Sequence, residues 1–416
     1  MPTKPHIPTL IARKRDGEKL ASSEIRSLID GYTAGEIPDY QMSAFAMAVL
    51  FRGMDAEETT ALTRAMMESG ETMTHPPGHP PVVDKHSTGG IGDKVSLVLA
   101  PLVACTGVWV PMVSGRGLGI TGGTLDKLES IPGFRTNLSL DEARAQLESI
   151  GVVMMGQTEQ FCPADKKFYA LRDVTATVPS IPMITASIMS KKLAESLDSL
   201  VLDVKFGSGA FMKTEARARE LAESMTRVGR EMGVETTAVL NPMDEPLGRS
   251  VGNALEVAEA VESLNDNGPA DLLAVTLELA EKITGLHPVR LYDIIESGEA
   301  MLKLEELVVA QGGDPDMLEA IVEEAHPAPV IREVPAPDTG TVARVRADII
   351  GQAALELGAG RARADSTIDP AVGFDCLVKC GEPVHQGASL CRIHARSDVD
   401  FELAETMVLR AIDIEP

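Results

Sequence analysis

Over the first seventy residues no stretch alternates apolar and polar positions, and the segments between turn signals read as helices. Ser22 or Ser23 can cap one helix ending near Gly35, Asp39 a second ending at Arg52 and Gly53, and Asp55 a third ending at Ser69 and Gly70. The segment THPPGHPP at 74–81 marks a boundary, too rich in proline and glycine to continue a helix. From Val82 the texture changes. Short apolar runs predict strands at 82–83, 108–113, 152–155 and 200–206, and amphipathic spacing predicts helices at 140–150 and 215–232. That rhythm is the one of a parallel sheet with crossover helices. A second helical block at 164–197 interrupts it, as when a chain returns to its first lobe. Around 327–337, HPAPVIREVPAPDTG reads as a linker. Beyond it, β-like pieces alternate with glycine turns to Ala395, before a final helix.

Between Lys94 and Arg116 the chain carries no charge, a stretch long enough to raise the question of a membrane span. Pro101, Gly107 and Pro111 interrupt it, so it reads as a buried helix at 95–106 running into a buried strand at 108–113. At ~150 residues per domain, 416 residues predict two or three domains. Lys plus Arg number 38 and Asp plus Glu 62, giving a formal charge of −24 that repels nucleic acid and anionic membranes. Aromatic residues make up only 3%, too few for rows of base-stacking platforms. The five cysteines (Cys105, Cys162, Cys376, Cys380, Cys391) are an odd number in a chain that needs no stapling, and the N-terminal residues show no apolar secretory core. Both features point to the cytoplasm.

Two glycine-dense loops follow the first two strand candidates, DKHSTGGIGD at 84–93 and SGRGLGITGGT at 114–124. Without Cβ atoms, backbone N–H groups can close around an anion, and the helix after each loop offers its positive end. Lys85 adds charge, and Ser87, Ser96, Ser114 and Thr124 add hydroxyl donors, a set suited to one small phosphate. Gly117, Gly119 and Gly122 also satisfy the dinucleotide pattern G-x-G-x-x-G. The helix after them is cut short by Ile131-Pro132-Gly133, and no acidic residue follows until Asp141. In the helical block, Ser187 and Lys191 stand four apart on one face, downstream of Arg172. A guanidinium, an ammonium and a hydroxyl so arranged could grip a flat, carbonyl-bearing ring and accept charge from it as it leaves. Cys376, Cys380, His385, Cys391 and His394 lack metal-ligand spacing, and 390–393 reads as a strand.

The blocks VDKHSTGGIGDKVSLVLAPLV, SGRGLGITGGTLDKLESIPGF, ADKKFYALRDVTATVPSIPMITASIMSKKLAE and DVKFGSGAFM resemble consecutive blocks of the thymidine/pyrimidine-nucleoside phosphorylase family, over essentially the whole chain. The resemblance implies an α/β fold with three parts. These are a small all-α lobe at 1–69 plus 165–197, a large α/β lobe with a mostly parallel central sheet at 70–164 plus 198–330, and a small C-terminal α+β subdomain at 331–416. It implies a homodimer. It places phosphate at Lys85, Ser87, Ser96, Ser114 and Thr124, and the pyrimidine base at His86, Arg172, Ser187 and Lys191, with His86, Arg172 and Lys191 as the catalytic groups. The implied reaction splits a pyrimidine deoxynucleoside with inorganic phosphate into free base and sugar 1-phosphate, with no organic cofactor. Met112 resembles the thymidine-preferring branch, whereas the uridine-accepting branch tends to carry lysine there. Ile120 replaces a common histidine. The segment PLGRSVGNALEVAEA resembles the part of bacterial relatives that helps hold potassium, with Gly92, Lys94, Leu247 and Ser250 giving carbonyls and Glu259 its carboxylate. The nearby charge of Lys94 works against the ion. Rival readings are a phosphorylase that also accepts uridine, an anthranilate phosphoribosyltransferase-like enzyme, an NAD-dependent oxidoreductase and a non-catalytic nucleoside binder.

Overall fold

A computed structural model describes residues 6–117, 119–120, 122–323, 327–361 and 366–416. Its elements run α1 (Ile7–Arg15), α2 (Ser22–Thr33), α3 (Asp39–Arg52), α4 (Ala56–Met67), β1 (Val83–Ser87), α5 (Val95–Ala104), β2 (Val110–Ser114), α6 (Thr124–Leu128), α7 (Leu140–Ile150) and β3 (Val152–Gly156). Next come α8 (Pro163–Val174), α9 (Ile181–Ala194), β4 (Ser199–Phe206), α10 (Glu215–Glu231), β5 (Glu235–Pro242), α11 (Asn253–Leu264), α12 (Ala270–Thr284), α13 (Pro288–Glu296), α14 (Glu299–Ala310) and α15 (Asp316–Val322). The chain ends with β6 (Val330–Pro335), β7 (Gly340–Val345), α16 (Ala347–Leu357), β8 (Gly373–Asp375), β9 (Pro383–Val384), β10 (Ser389–Ala395), α17 (Asp398–Ala411) and β11 (Ile412–Glu415). One compact unit comprises Met1–His86, Gln157–Leu202 and Arg219–Ala238; the other comprises Ser87–Gly156, Asp203–Ala218 and Val239–Pro416. Strands β1, β4 and β5 lie in the order β1-β4-β5.

In the first unit, apolar faces of α1–α4, α8 and α9 meet around Leu10, Ile25, Leu28, Phe45, Val49, Leu62, Phe168 and Met183. Asp55 caps α4 as expected: its carboxylate accepts the Glu58 N–H at 2.8 Å, and Glu58 reaches back to the Asp55 N–H. The other two caps differ from expectation. Ala21 holds the N-cap of α2, where Glu24 accepts its N–H at 2.8 Å, and Pro38 holds that of α3. Asp39 instead accepts the Tyr32 hydroxyl at 3.1 Å. Twelve of the fourteen residues of α9 are buried, against α4 above all. Among them is Lys192, whose ammonium donates to Asp84 and, at 2.8 Å, to Glu195. Burial pushes the Glu195 carboxyl well above its usual range. Burial alone would lower the pKa of Lys192, but the two acidic neighbours outweigh it and raise it.

In the second unit every residue of α5 is buried, in keeping with a sequence that is apolar but for Ser96. Pro101 lies inside this helix instead of ending it. Ten residues span about 15 Å, half a bilayer core, and no described helix is long and apolar enough to cross a membrane. Beside it β2 and β3 pair in parallel from Val110↔Val152 to Ser114↔Gly156. At the C-terminal end, β6-β10-β8 and β11-β7-β9 enclose Val334, Ile350, Phe374, Ile393 and Val408 with α16 and α17. The expected linker at 327–337 therefore contains a strand, β6, paired antiparallel with β10. Its one proline, Pro335, fits because it ends an edge strand. Strand β5 and helix α16 are further elements the pattern did not separate.

Candidate functional site

Strand β1 carries three expected residues in a row. Lys85 is buried and His86 half-buried in the first unit, and Ser87, half-buried, opens the second. In the first unit the structure brings Ser187 and Lys191 together on α9. The Lys191 ammonium donates to the Ser187 carbonyl at 2.6 Å and approaches the Ser187 hydroxyl at 3.3 Å. It also pairs with Asp165 in the first turn of α8. Asp165 is almost fully buried, and its second oxygen, Oδ1, has no hydrogen-bond donor among the described residues. The Lys191 side chain keeps 20% exposure while its ammonium is anchored by these oxygens. Asp165 was not among the expected site residues. Its signal was present: Asp165 and Arg172 stand seven apart, two turns along one helix face.

Arg172 is 1% exposed and turned into the protein. Its guanidinium donates to the carbonyls of Thr177 (3.4 Å), Val178 (2.8 Å) and Met183 (3.1 Å), gripping the turn between α8 and α9. Ala176 in that turn takes a left-handed φ of 55°, a conformation a non-glycine residue holds only when its surroundings enforce it. Burial lowers the Arg172 pKa to about 10, with Asp165 opposing the shift, so the group stays cationic at neutral pH. Asp165 thus acts on both cations, as the ionic partner of Lys191 and as the charge opposing the shift of Arg172, while Ser187 contacts Lys191.

In the second unit the remaining hydroxyls fall into two pairs. Ser87 donates to Asp93 at 2.5 Å, and Asp93 also accepts the Val95 N–H at 3.4 Å, at the start of the helix whose first turn carries Ser96. Ser114 ends β2 and Thr124 opens α6, and the Leu125 N–H donates to the Gly115 carbonyl at 3.4 Å, closing the loop between them. Leu118 and Thr121 of this loop lie outside the described residues. The helix α6 has only five residues, so it lacks the aligned dipole expected at the second loop and expected by the dinucleotide pattern. An aspartate fills part of that loop instead: Asp126 accepts the Gly117 N–H at 2.6 Å and the Arg361 guanidinium at 2.6 Å. A side chain on Gly123 would collide with Gly117 and Asp126. Ile120 packs on the C-terminal core, and Met112 is buried in β2 opposite Met154.

At the position that the resemblance implies for potassium, the structure places an ammonium. Lys94 contributes its ammonium as well as its backbone: Nζ donates to the carbonyls of Leu247 (2.9 Å) and Ser250 (3.0 Å) and to the Glu259 carboxylate (2.5 Å). Of the residues weighed as a metal cluster, Cys391 and His394 lie on β10, and His394 is 3.1 Å from Asp375. The described residues contain no group of three or more His, Cys, Asp or Glu able to hold a metal ion.

Three family models match the chain. Residues 8–70 match the glycosyl transferase family helical bundle domain, residues 79–287 the glycosyl transferase family a/b domain, and residues 341–415 the pyrimidine nucleoside phosphorylase C-terminal domain. The chain is 46% identical to the pyrimidine-nucleoside phosphorylase of Geobacillus stearothermophilus, over 98% of this chain and 96% of that one. It is 47% identical to the Bacillus subtilis (strain 168) protein of the same name, over 95% and 94%. It is 46% identical to the thymidine phosphorylase of Burkholderia cenocepacia, over 96% and 94%. Among solved structures, anthranilate phosphoribosyltransferase from Thermus thermophilus matches with a TM-score of 0.60 at 19% identity, over 72% of this chain and 98% of that one, a likeness of fold.

Proposed function

This chain belongs to the family of pyrimidine-nucleoside and thymidine phosphorylases, and from that premise we propose that it catalyses the reversible phosphorolysis of thymidine and deoxyuridine in the cytoplasm. The observation that carries the reaction is the likeness to phosphorylases over nearly the whole chain, C-terminal domain included. In the reaction, the glycosidic C–N bond breaks as a phosphate oxygen bonds to the anomeric carbon. The products are the free base and 2-deoxy-α-D-ribose 1-phosphate. Phosphate is already anionic at neutral pH, so no strong base is needed to activate it. The difficulty lies in the positive charge on the sugar and the negative charge growing on the base. Lys85, Ser87, Ser96, Ser114 and Thr124 would hold the phosphate. His86, Arg172 and Lys191 would stabilise or protonate the base oxygens, with Ser187 fixing the ring edge. Support for this division is that Lys191 is held against Ser187 by Asp165 yet stays partly exposed.

The test is release of free base from thymidine and from uridine, each with and without inorganic phosphate. Phosphate-dependent release from thymidine is the expected result, and no such release from either nucleoside would overturn the reading. Arg172→Ala is expected to lower kcat/KM by an order of magnitude or more, because it removes a positive charge and also frees the three carbonyls that shape the α8–α9 turn. Steady-state kinetics alongside a melting curve checks both effects.

Preference for deoxynucleosides rests on Met112, which offers no hydrogen-bond donor to a 2′-hydroxyl. Met112→Lys is expected to raise the uridine-to-thymidine ratio of kcat/KM about tenfold, the worth of one modest hydrogen bond. Competition kinetics with the two nucleosides reads that ratio. The broader reading, with uridine also accepted, is favoured by relatives named pyrimidine-nucleoside phosphorylase at the same identity. A homodimer formed through the helical unit is supported by Tyr40 and Phe51 of α3, apolar yet 73% and 78% exposed, and sedimentation velocity checks it. Five cysteines without a disulfide suit a reducing compartment.

A further inference from the structure

Lys94 is the last residue before α5 and has no exposed surface, yet it carries a charge that the phosphorolysis scheme does not use. A buried ammonium persists only if its charge is paired and its donors are satisfied. Both conditions hold. Its three hydrogens meet three acceptors, the carbonyls of Leu247 and Ser250 and the Glu259 carboxylate. The carboxylate is itself fixed by the backbone N–H groups of Arg249 (2.8 Å) and Ser250 (3.2 Å). Lys94 therefore joins the first glycine loop to the 247–250 turn and to α11.

Potassium, implied here by resemblance, does not fit these residues. Three of the five oxygens assigned to it surround the ammonium. The other two accept backbone bonds, Gly92 O from the Lys94 N–H and Lys94 O from the Leu97 N–H, both at 2.9 Å. A second cation would share a single carboxylate with the ammonium, away from water, where like charges repel strongly. Space is also lacking. A Cβ on Gly248 would lie 2.9 Å from the ammonium nitrogen and 2.3 Å from the carboxylate, and one on Gly92 would lie 2.6 Å from the Leu247 carbonyl. Both glycines have left-handed φ, 71° and 70°, so the two turns close around the ammonium at a backbone geometry other residues resist.

We infer that Lys94 is this chain's own tethered cation: its ammonium takes the place of a monovalent metal ion, so that folding and turnover are independent of potassium. Lys94 is a positioning residue. It holds the loop that bears Ser87 and the helix turn that bears Ser96, and touches neither substrate.

The test compares the full-length protein in KCl and in choline chloride of equal ionic strength, reading Tm and, separately, kcat and the KM for phosphate. The wild-type protein should give the same Tm in both salts and kinetic constants within twofold. Lys94→Ala deletes the ammonium and leaves the Glu259 carboxylate in an oxygen-lined hole. In choline its Tm should fall by about 5–15 °C, and the KM for phosphate should rise more than kcat falls. Titration with KCl should restore Tm along a saturating curve, with LiCl restoring less. A wild-type protein whose Tm or kcat/KM climbs saturably with potassium overturns the proposal. So does a folded Lys94→Ala variant that is as stable as wild type in choline, or one that potassium does not rescue. Should the variant fail to fold in either salt, the wild-type comparison still decides. The Tm readings stand apart from the assigned reaction, so they remain decisive even if no phosphorolysis is found.

Discussion

Replacing Lys191 by alanine is expected to lower kcat/KM for phosphorolysis about 10²–10³-fold, with thymidine and deoxyuridine affected alike. The size follows from where the charge is placed. Negative charge develops on the base only as the glycosidic bond breaks, so a cation aimed at the ring oxygens acts on the transition state more than on the bound substrate. Lys191 can be so aimed because the Ser187 carbonyl and Asp165 fix its position. Asp165→Asn is expected to keep the ammonium but loosen it, costing about tenfold in kcat with a smaller change in KM. Because Asp165 is buried and Lys191 is its ionic partner, Lys191→Ala also strands a carboxylate, and its Tm should fall by several degrees. Single-turnover base release measured on both variants separates chemistry from binding. A Lys191→Ala enzyme within threefold of wild type would remove Lys191 from the mechanism.

The largest effect on stability is expected at its neighbour in sequence. Lys192→Met should cost about 3–5 kcal/mol, read as a lower midpoint in urea with an unchanged slope. Lys191 and Lys192 are adjacent on α9, but the helix turns about 100° between them, which leaves one partly exposed and sends the other into the core. There Lys192 bridges Asp84 and Glu195, all three without appreciable exposure. Removing the ammonium leaves two acidic groups facing each other in an apolar setting.

Glu195 supplies a second, opposite arm. Its folded pKa lies above its unfolded value because burial favours the protonated form. The stability it contributes is therefore fully present below the ordinary glutamate range and is lost as pH rises through the raised value. Glu195→Gln holds a neutral isostere in place at every pH. Its Tm should stay flatter than that of the wild type as pH is raised from 5 to 9. A parallel pair of curves would show that Glu195 is already ionised in the fold.

How far these sites were legible from sequence differs residue by residue. The helix at 140–150 falls on α7 residue for residue, because Ser139 with Glu142 forms a capping box and Gly151 takes the left-handed terminal position, all within one short window. Ser187 and Lys191 were paired by the helical repeat alone. Asp55 was recognised as a cap, yet Ser22, Ser23 and Asp39 were misread, since a cap depends on which residue leaves helical geometry and several adjacent candidates look alike. Strand β6 hid in a proline-rich stretch that only its pairing with β10 makes extended.

By itself the sequence determined the family, the class of reaction and most of the helical and glycine-loop segments. These are properties of motif and of periods shorter than about a dozen residues. The tertiary structure alone decided what each of these charges does. Arg172 turns inward onto backbone carbonyls, Lys192 enters the core, and Lys191 keeps part of its side chain exposed. Lys94 meets partners 153 to 165 positions along the chain. An ammonium carries the same charge wherever it stands in a sequence. Whether it binds a ligand, balances a core carboxylate or stands in for a metal ion is fixed by the oxygens that distant segments fold around it, and by how completely they exclude water.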